Sequence, residues 1–301
     1  MQSYFSTFIS GFGEVVVEAV QTTLPDFELG ELFDGLVTYK TTAGSDQIKK
    51  LRFLNNSFVV VDKNVDLSNL GRKFRVVFSR ENKLVAVEKK VLVEKENEIA
   101  RRFGLVVDRA NPDVEFWYLT RRDGKEFFGA RLTKHPDYKD ILKPGQLRPE
   151  LANLLCLLSE PKASDVFLDP FAGSGAIASE RAAFPAKKII STDIAQAVDA
   201  WHLKLADSSV DKIVTDPPWG VEVGRGLDIE KFYQEMLAEF CRVVRPGGLV
   251  VFLIGQRDLF DSLVIKFSDK LQLERRLDIL VSGKKAGVFK LVLKSADGKS
   301  G

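Results

Sequence analysis

The chain has 301 residues, enough for about two domains, and 45% hydrophobic with 29% charged residues is the balance of a water-soluble globular protein. With two histidines and two cysteines, histidine triads, zinc sites and a disulfide framework drop out, so no metal site is expected, and Cys156 and Cys241 read as small core residues. A net charge of +2 leaves nucleic-acid binding to local basic patches. No basic-plus-apolar leader and no bilayer-length apolar run is found, so a cytoplasmic protein without membrane contact is expected.

Taken in order, Tyr4–Ile9 alternates like a strand, and Gly11 and Gly13 lead into a helix with Val16, Val17, Val20 and Leu24 on one face. Strands are predicted over Phe27–Phe33 and Leu36–Thr41 around Asp34-Gly35, then a helix over Asp46–Phe53 and a strand over Ser57–Val61. This β-α-β-β-α-β order is the ferredoxin-like arrangement, assigned to residues 1–63.

Residues 64–134 form a second α+β unit: a strand at Phe74–Phe78, a helix at Val91–Phe103 ended by Gly104, and strands at Val114–Arg121 and Glu126–Thr133 around Asp123-Gly124. Its basic residues (Arg72, Lys73, Arg75, Arg80, Lys89, Lys90, Arg101, Arg102, Arg109, Arg121, Arg122, Arg131, Lys134) interleave with Phe116, Trp117 and Phe128. Such a mixture can bind phosphates and stack bases, or it can be a solvated surface over an aromatic core.

A Pro/Gly-punctuated connector over residues 135–149 opens the remaining domain, 135–301, with Pro149 starting a helix at about Glu150–Leu158. Asp165–Ile177 then reads as a buried strand broken at Pro170, a glycine loop, and a helix over Ala176–Phe184 stopped by Pro185. Further strands are predicted at Lys188–Asp193, Val210–Asp216, Leu249–Gly255, Glu274–Val281 and Gly287–Lys294, with a helix at Ile229–Val243. A glycine loop at a strand's carboxyl end is the usual ligand crevice of an open α/β sheet. Gly173 to Ala178 formally fits the dinucleotide pattern G-x-G-x-x-A, with Asp193 downstream. Against that reading, Asp169 would set a negative charge where a pyrophosphate sits. An acid there suits a ligand carrying an ammonium group.

Thr215-Asp216-Pro217-Pro218-Trp219 carries the chemistry. Two prolines remove backbone donors, Asp216 offers an acceptor-only carboxylate, and Trp219 offers a flat face for a base. A ring-conjugated exocyclic amine is a poor nucleophile. Acceptors at Asp216 and the Pro217 carbonyl would hold its N–H bonds, and Trp219 would orient the ring.

The Asp169–Gly175 and Asp216–Trp219 stretches resemble the S-adenosylmethionine-binding and amino-methylating motifs of class I methyltransferases. Gly11–Val20, Phe74–Leu132 and Leu147-Arg148-Pro149-Glu150-Leu151-Ala152 resemble the THUMP-containing RNA guanine-N2 methyltransferases. The resemblance implies a Rossmann-like methyltransferase domain behind ferredoxin-like and THUMP-like RNA-binding units. It implies S-adenosylmethionine contacts at Asp169, Ala172, Gly173, Gly175, Asp193, Ile194, Asp199 and Ala200, with Asp193 on the ribose. The amine site would be Asp216, Pro217, Pro218 and Trp219. It further implies transfer to guanosine N2, with tRNA as the expected RNA; the sequence leaves the oligomeric state open, with a monomer favoured. Ribosomal RNA guanine, DNA adenine, protein glutamine, or RNA binding without catalysis are the alternatives. Asp193 and Asp199 stand too close for a parallel crossover, which takes a dozen residues or more. The link between the domain's second and third strands is therefore expected to be shortened, with its helix missing.

Overall fold

The computed structural model describes residues 1–63, 65, 67, 70–133, 142, 146–192, 203–220, 224, 226 and 228–295. The chain divides into two compact units: Met1–Phe8 with Val16–Asp137, and Ile9–Val15 with Tyr138–Gly301.

The first unit begins β1 (Gln2–Thr7), α1 (Gly13–Thr23, whose first residues belong to the second unit), β2 (Glu28–Phe33), β3 (Leu36–Thr41), α2 (Ser45–Ile48) and β4 (Asn56–Val60). These strands lie in the order β2-β3-β1-β4, all antiparallel, as the ferredoxin-like reading requires. The expected helix over Asp46–Phe53 stops at Ile48. Tight three-residue turns follow, with Leu51 N–H bonded to the Ile48 carbonyl and Leu54 N–H to the Leu51 carbonyl, and these bury Leu51, Phe53 and Leu54 without helix.

The sheet continues through β5 (Lys73–Arg80), β6 (Lys83–Leu84), α3 (Lys89–Phe103), β7 (Val106–Val107), β8 (Val114–Thr120) and β9 (Glu126–Arg131). Antiparallel pairing of β4 with β9 joins the two amino-terminal stretches into one sheet, nine-stranded among the described residues. Helix α3 ends at Gly104 in the left-handed conformation (φ 66°), as its C-terminal glycine predicts.

The second unit holds α4 (Pro149–Leu158), β10 (Val166–Asp169), α5 (Ala176–Arg181), β11 (Lys188–Ser191), β12 (Val210–Thr215), α6 (Ile229–Val243), β13 (Val244–Ile254), α7 (Arg257–Lys266), β14 (Leu271–Val281) and β15 (Lys284–Leu293). The sheet order among the described residues is β11-β10-β12-β13-β15-β14. The first four strands are parallel, and β15 and β14 add antiparallel pairs. This is a Rossmann-like α/β sheet. The segment read as a shortened crossover, Asp193–Asp199, lies outside the described residues.

The amphipathic α6 matches its predicted span. Asp228 caps it by accepting from the Lys231 N–H at 3.1 Å, and Phe232, Met236 and Phe240 pack into the core with Leu168, Ile213 and Phe252. The predicted Ala176–Phe184 helix ends at Arg181, because the turn before Pro185 tightens into three-residue bonds from Ala183 and Phe184. Helix α7, unread in the sequence, buries Phe260, Leu263 and Val264 at i, i+3, i+4 spacing. Gly11 belongs to this unit: a Cβ there would lie 2.9 Å from the Ile279 side chain, a closeness only glycine permits. No helix among the described residues is long and apolar enough to cross a membrane.

Candidate active site

The sheet order reverses between β10 and β12: the chain leaves β10 for β11 on one side and returns to β12 on the other. A crevice opens at the carboxyl ends of two such strands. Those ends carry Asp169 and Thr215-Asp216.

Asp169 is fully buried. Its Oδ1 accepts from the Thr215 hydroxyl at 2.9 Å and from the Phe171 N–H at 3.3 Å. Beyond Pro170 the loop is pinned by the Ala172 N–H to the Thr192 carbonyl (2.9 Å) and the Gly175 N–H to the Ala172 carbonyl (2.7 Å). Gly173 and Gly175 have φ of 46° and 78°, and a Cβ at either would meet nothing within 4 Å. The backbone conformation demands glycine there, and the space around it is open.

Asp216 is partly buried and its Oδ1 accepts from the Trp219 indole N–H at 2.9 Å. Burial pushes its carboxyl up to about 7; the Trp219 bond opposes this and the nearby Asp169 charge adds to it. Two more bonds hold the loop: the Tyr233 hydroxyl on α6 donates to the Pro218 carbonyl (2.9 Å), and Gln256 Nε2 donates to the Trp219 carbonyl (3.2 Å). The Pro217 carbonyl takes part in neither. Trp219 packs closely on Gly255, where a Cβ would come within 2.5 Å of the ring's Cδ2.

Of the residues picked from the sequence, the structure thus brings Asp169, Ala172, Gly173 and Gly175 together with Asp216, Pro217, Pro218 and Trp219. Asp193, Ile194, Asp199 and Ala200 lie outside the described residues. Sequence reasoning missed Tyr233, Gly255 and Gln256, and gave Thr215 no role of its own. Thr215 stood one place before the recognised Asp216, and Tyr233 beside the apolar stripe of α6, but nothing local marks them as loop supports.

A scaffold residue also escaped notice. Arg181 is fully buried below β10, bonding the carbonyls of Phe184, Pro185 and Lys162 and the Asp165 carboxylate (3.1 Å), with its guanidinium over Phe167.

Part of the basic and aromatic set of the first unit is taken up by ion pairs with acids and by the core. Arg75 and Arg131 both pair with Glu115, Arg109 with Glu96, Lys73 with Asp108 and Arg121 with Glu81. Phe116 is fully buried, and Trp117 donates its indole N–H to Glu115. Arg72, Arg80, Lys89, Lys90 and Arg122 are exposed, and Lys134 lies outside the described residues.

The donor set fits S-adenosylmethionine. A buried carboxylate beside an open glycine loop matches a cationic amino-acid ligand, and the second acid faces it across the switch point.

Known proteins agree. The UPF0020 family model (RMKL-like, methyltransferase domain) matches residues 136–194 and 186–279. The chain is 28% identical over 284 residues to a tRNA (guanine(10)-N2)-dimethyltransferase of Methanothermobacter thermautotrophicus, covering 82% of this chain and 79% of that protein. It is 29% identical to a tRNA (guanine(6)-N2)-methyltransferase of Thermus thermophilus, over 51% of this chain and 53% of that one. The crystal structure of TrmN from Thermus thermophilus superposes with a TM-score of 0.74 at 22% identity, covering 97% of this chain and 100% of TrmN, a likeness of fold. Through residues 136–279 the chain belongs to the UPF0020 family of RMKL-like methyltransferase domains, and it is similar to the tRNA guanine-N2 methyltransferases named above.

Proposed function

We propose that this chain transfers a methyl group from S-adenosylmethionine to the exocyclic N2 of a guanosine in tRNA. The observation that carries the reading is the meeting of the Asp169 glycine loop and the Asp216–Trp219 loop at one switch point, joined by the Thr215–Asp169 hydrogen bond.

In this reading Asp169, Ala172, Gly173 and Gly175 hold the cofactor, with Asp193, Ile194, Asp199 and Ala200 proposed as its remaining contacts. When bound, S-adenosylmethionine supplies an electrophilic methyl group. Trp219 stacks the target base, a planar ring on an aromatic face. The carboxylate of Asp216 and the Pro217 carbonyl accept from the amine N–H bonds and favour the positive charge that grows on nitrogen. With its carboxyl near 7, Asp216 is poised to take up the proton the nitrogen then loses. The bonds from Tyr233 and Gln256 keep these acceptors in place.

Residues 64–134 are proposed as the THUMP-like RNA-binding unit and residues 1–63 as its ferredoxin-like companion, with 135–301 carrying the chemistry. The exposed Arg72, Arg80, Lys89, Lys90 and Arg122 are the phosphate contacts this reading favours. The chain is proposed to act in the cytoplasm as a monomer.

The test is transfer of labelled methyl from S-adenosylmethionine to unmodified bulk tRNA, followed by nucleoside analysis. N2-methylguanosine supports the proposal. Binding of the cofactor without incorporation would move the target to another RNA, DNA or a protein amide. Absence of both would leave an RNA-binding protein without catalysis.

A further inference from the structure

Thr215 ends β12 and Asp169 ends the neighbouring β10. Both side chains are fully buried, and the hydroxyl donates to Asp169 Oδ1 at 2.9 Å. The next residue is Asp216, so the residue bonded to one acid of the site directly precedes the other. Water cannot orient a carboxylate buried to this degree. Its rotamer is set by the donors it finds, here the Thr215 hydroxyl and the Phe171 N–H.

We infer that Thr215 is a positioning residue that fixes the Asp169 carboxylate for the cofactor and ties it to the strand end from which the amine-holding loop departs. The inference rests on the cofactor role proposed above for Asp169. It makes the strand-end hydroxyl part of the binding machinery: the carboxylate is held in one orientation before a cofactor arrives, so little ordering remains to be done on binding. Threonine suits the place twice over. Its branched Cβ fits a central strand, and its hydroxyl is the donor that valine, the same shape, lacks.

The experiment is calorimetric titration of the full chain with S-adenosylmethionine. Thr215→Val removes the hydroxyl and keeps the volume; Thr215→Ser keeps the hydroxyl. A hydrogen bond to a charged group corresponds to about a tenfold loss in affinity or somewhat more for Thr215→Val, and Thr215→Ser should bind within about threefold of the unaltered chain. In an Asp169→Ala background, adding Thr215→Val should weaken binding no further, a non-additivity that general loosening of the strand would not produce. Should the valine variant fail to fold, Thr215→Ala is measured in the same cycle. Unchanged affinity of the valine variant, or equal losses in both backgrounds, overturns the positioning role and leaves the methyltransferase reading standing. No binding by the unaltered chain overturns both.

Discussion

Replacing Asp216 with asparagine gives a direct measure of how the active-site loop treats its acid. The substitution keeps the oxygen that accepts the Trp219 indole N–H at 2.9 Å but cannot titrate. In the folded chain burial lifts the Asp216 carboxyl from 3.8 to about 7. Between those values the folded state holds a proton that the unfolded state has released, so stability falls as pH rises through the window. The contribution is whole below about pH 4 and lost above about pH 7. The free-energy equivalent of that rise sets a ceiling near ~4 kcal/mol. Urea denaturation of both proteins from pH 4 to pH 8 reads it. The stability of Asp216→Asn relative to the unaltered chain should climb across this range by up to that ceiling, then level off. A difference that stays flat over the whole range would mean that Asp216 titrates like an exposed carboxyl, and the desolvated character assigned to the loop would be wrong.

Three other outcomes follow from the same geometry. Trp219→Phe keeps a flat ring but drops the indole donor that holds the Asp216 carboxyl down, so the acid limb of the methyl-transfer pH profile should move upward from about pH 7; an unmoved limb would separate Trp219 from that titration. Gly255→Ala forces a Cβ to 2.5 Å from Trp219 Cδ2, so tryptophan fluorescence should shift and methyl transfer fall, with about 1–3 kcal/mol of overpacking cost in denaturation. Arg181→Met strands the buried Asp165 carboxylate and three carbonyls, which should cost about 3–5 kcal/mol by denaturant titration.

The committed state of the first unit's charges bears on how RNA would be held. Glu115 alone is shared by Arg75, Arg131 and the Trp117 indole, and burial raising its carboxyl is outweighed by those donors, leaving it below the usual carboxylate value. Such a cluster organises the sheet face on which it sits. On the proposed function phosphate binding would fall to the exposed Arg72, Arg80, Lys89, Lys90 and Arg122, and variants of these should weaken RNA binding more than variants of Arg75 or Arg131 at equal charge change.

Local chemistry wrote much of this protein legibly along the chain. The apolar stripe of α6 marked a helix whose ends matched the structure. Pro170 and two glycines marked the loop after β10, because a side chain is strained at the φ angles found there. Asp216-Pro217-Pro218-Trp219 marked a proline-fixed turn at a strand end, the turn proposed to hold the amine. Tertiary structure decided what distance along the chain conceals. Thr215 and Asp169 are 46 positions apart, and Gln256 and Trp219 are 37 apart. They meet because β12 pairs with β10 and β13 pairs with β12. Arg181 drew no reading from the sequence, and the fold encloses it with Asp165. Listing the basic and aromatic residues of the first unit could not separate ion-paired core from exposed surface, since alternation along a strand names two faces without saying what covers either. Periodicity and turn chemistry act over a few residues; strand order, the outcome of global packing, chooses which of those local features become neighbours and so builds the site.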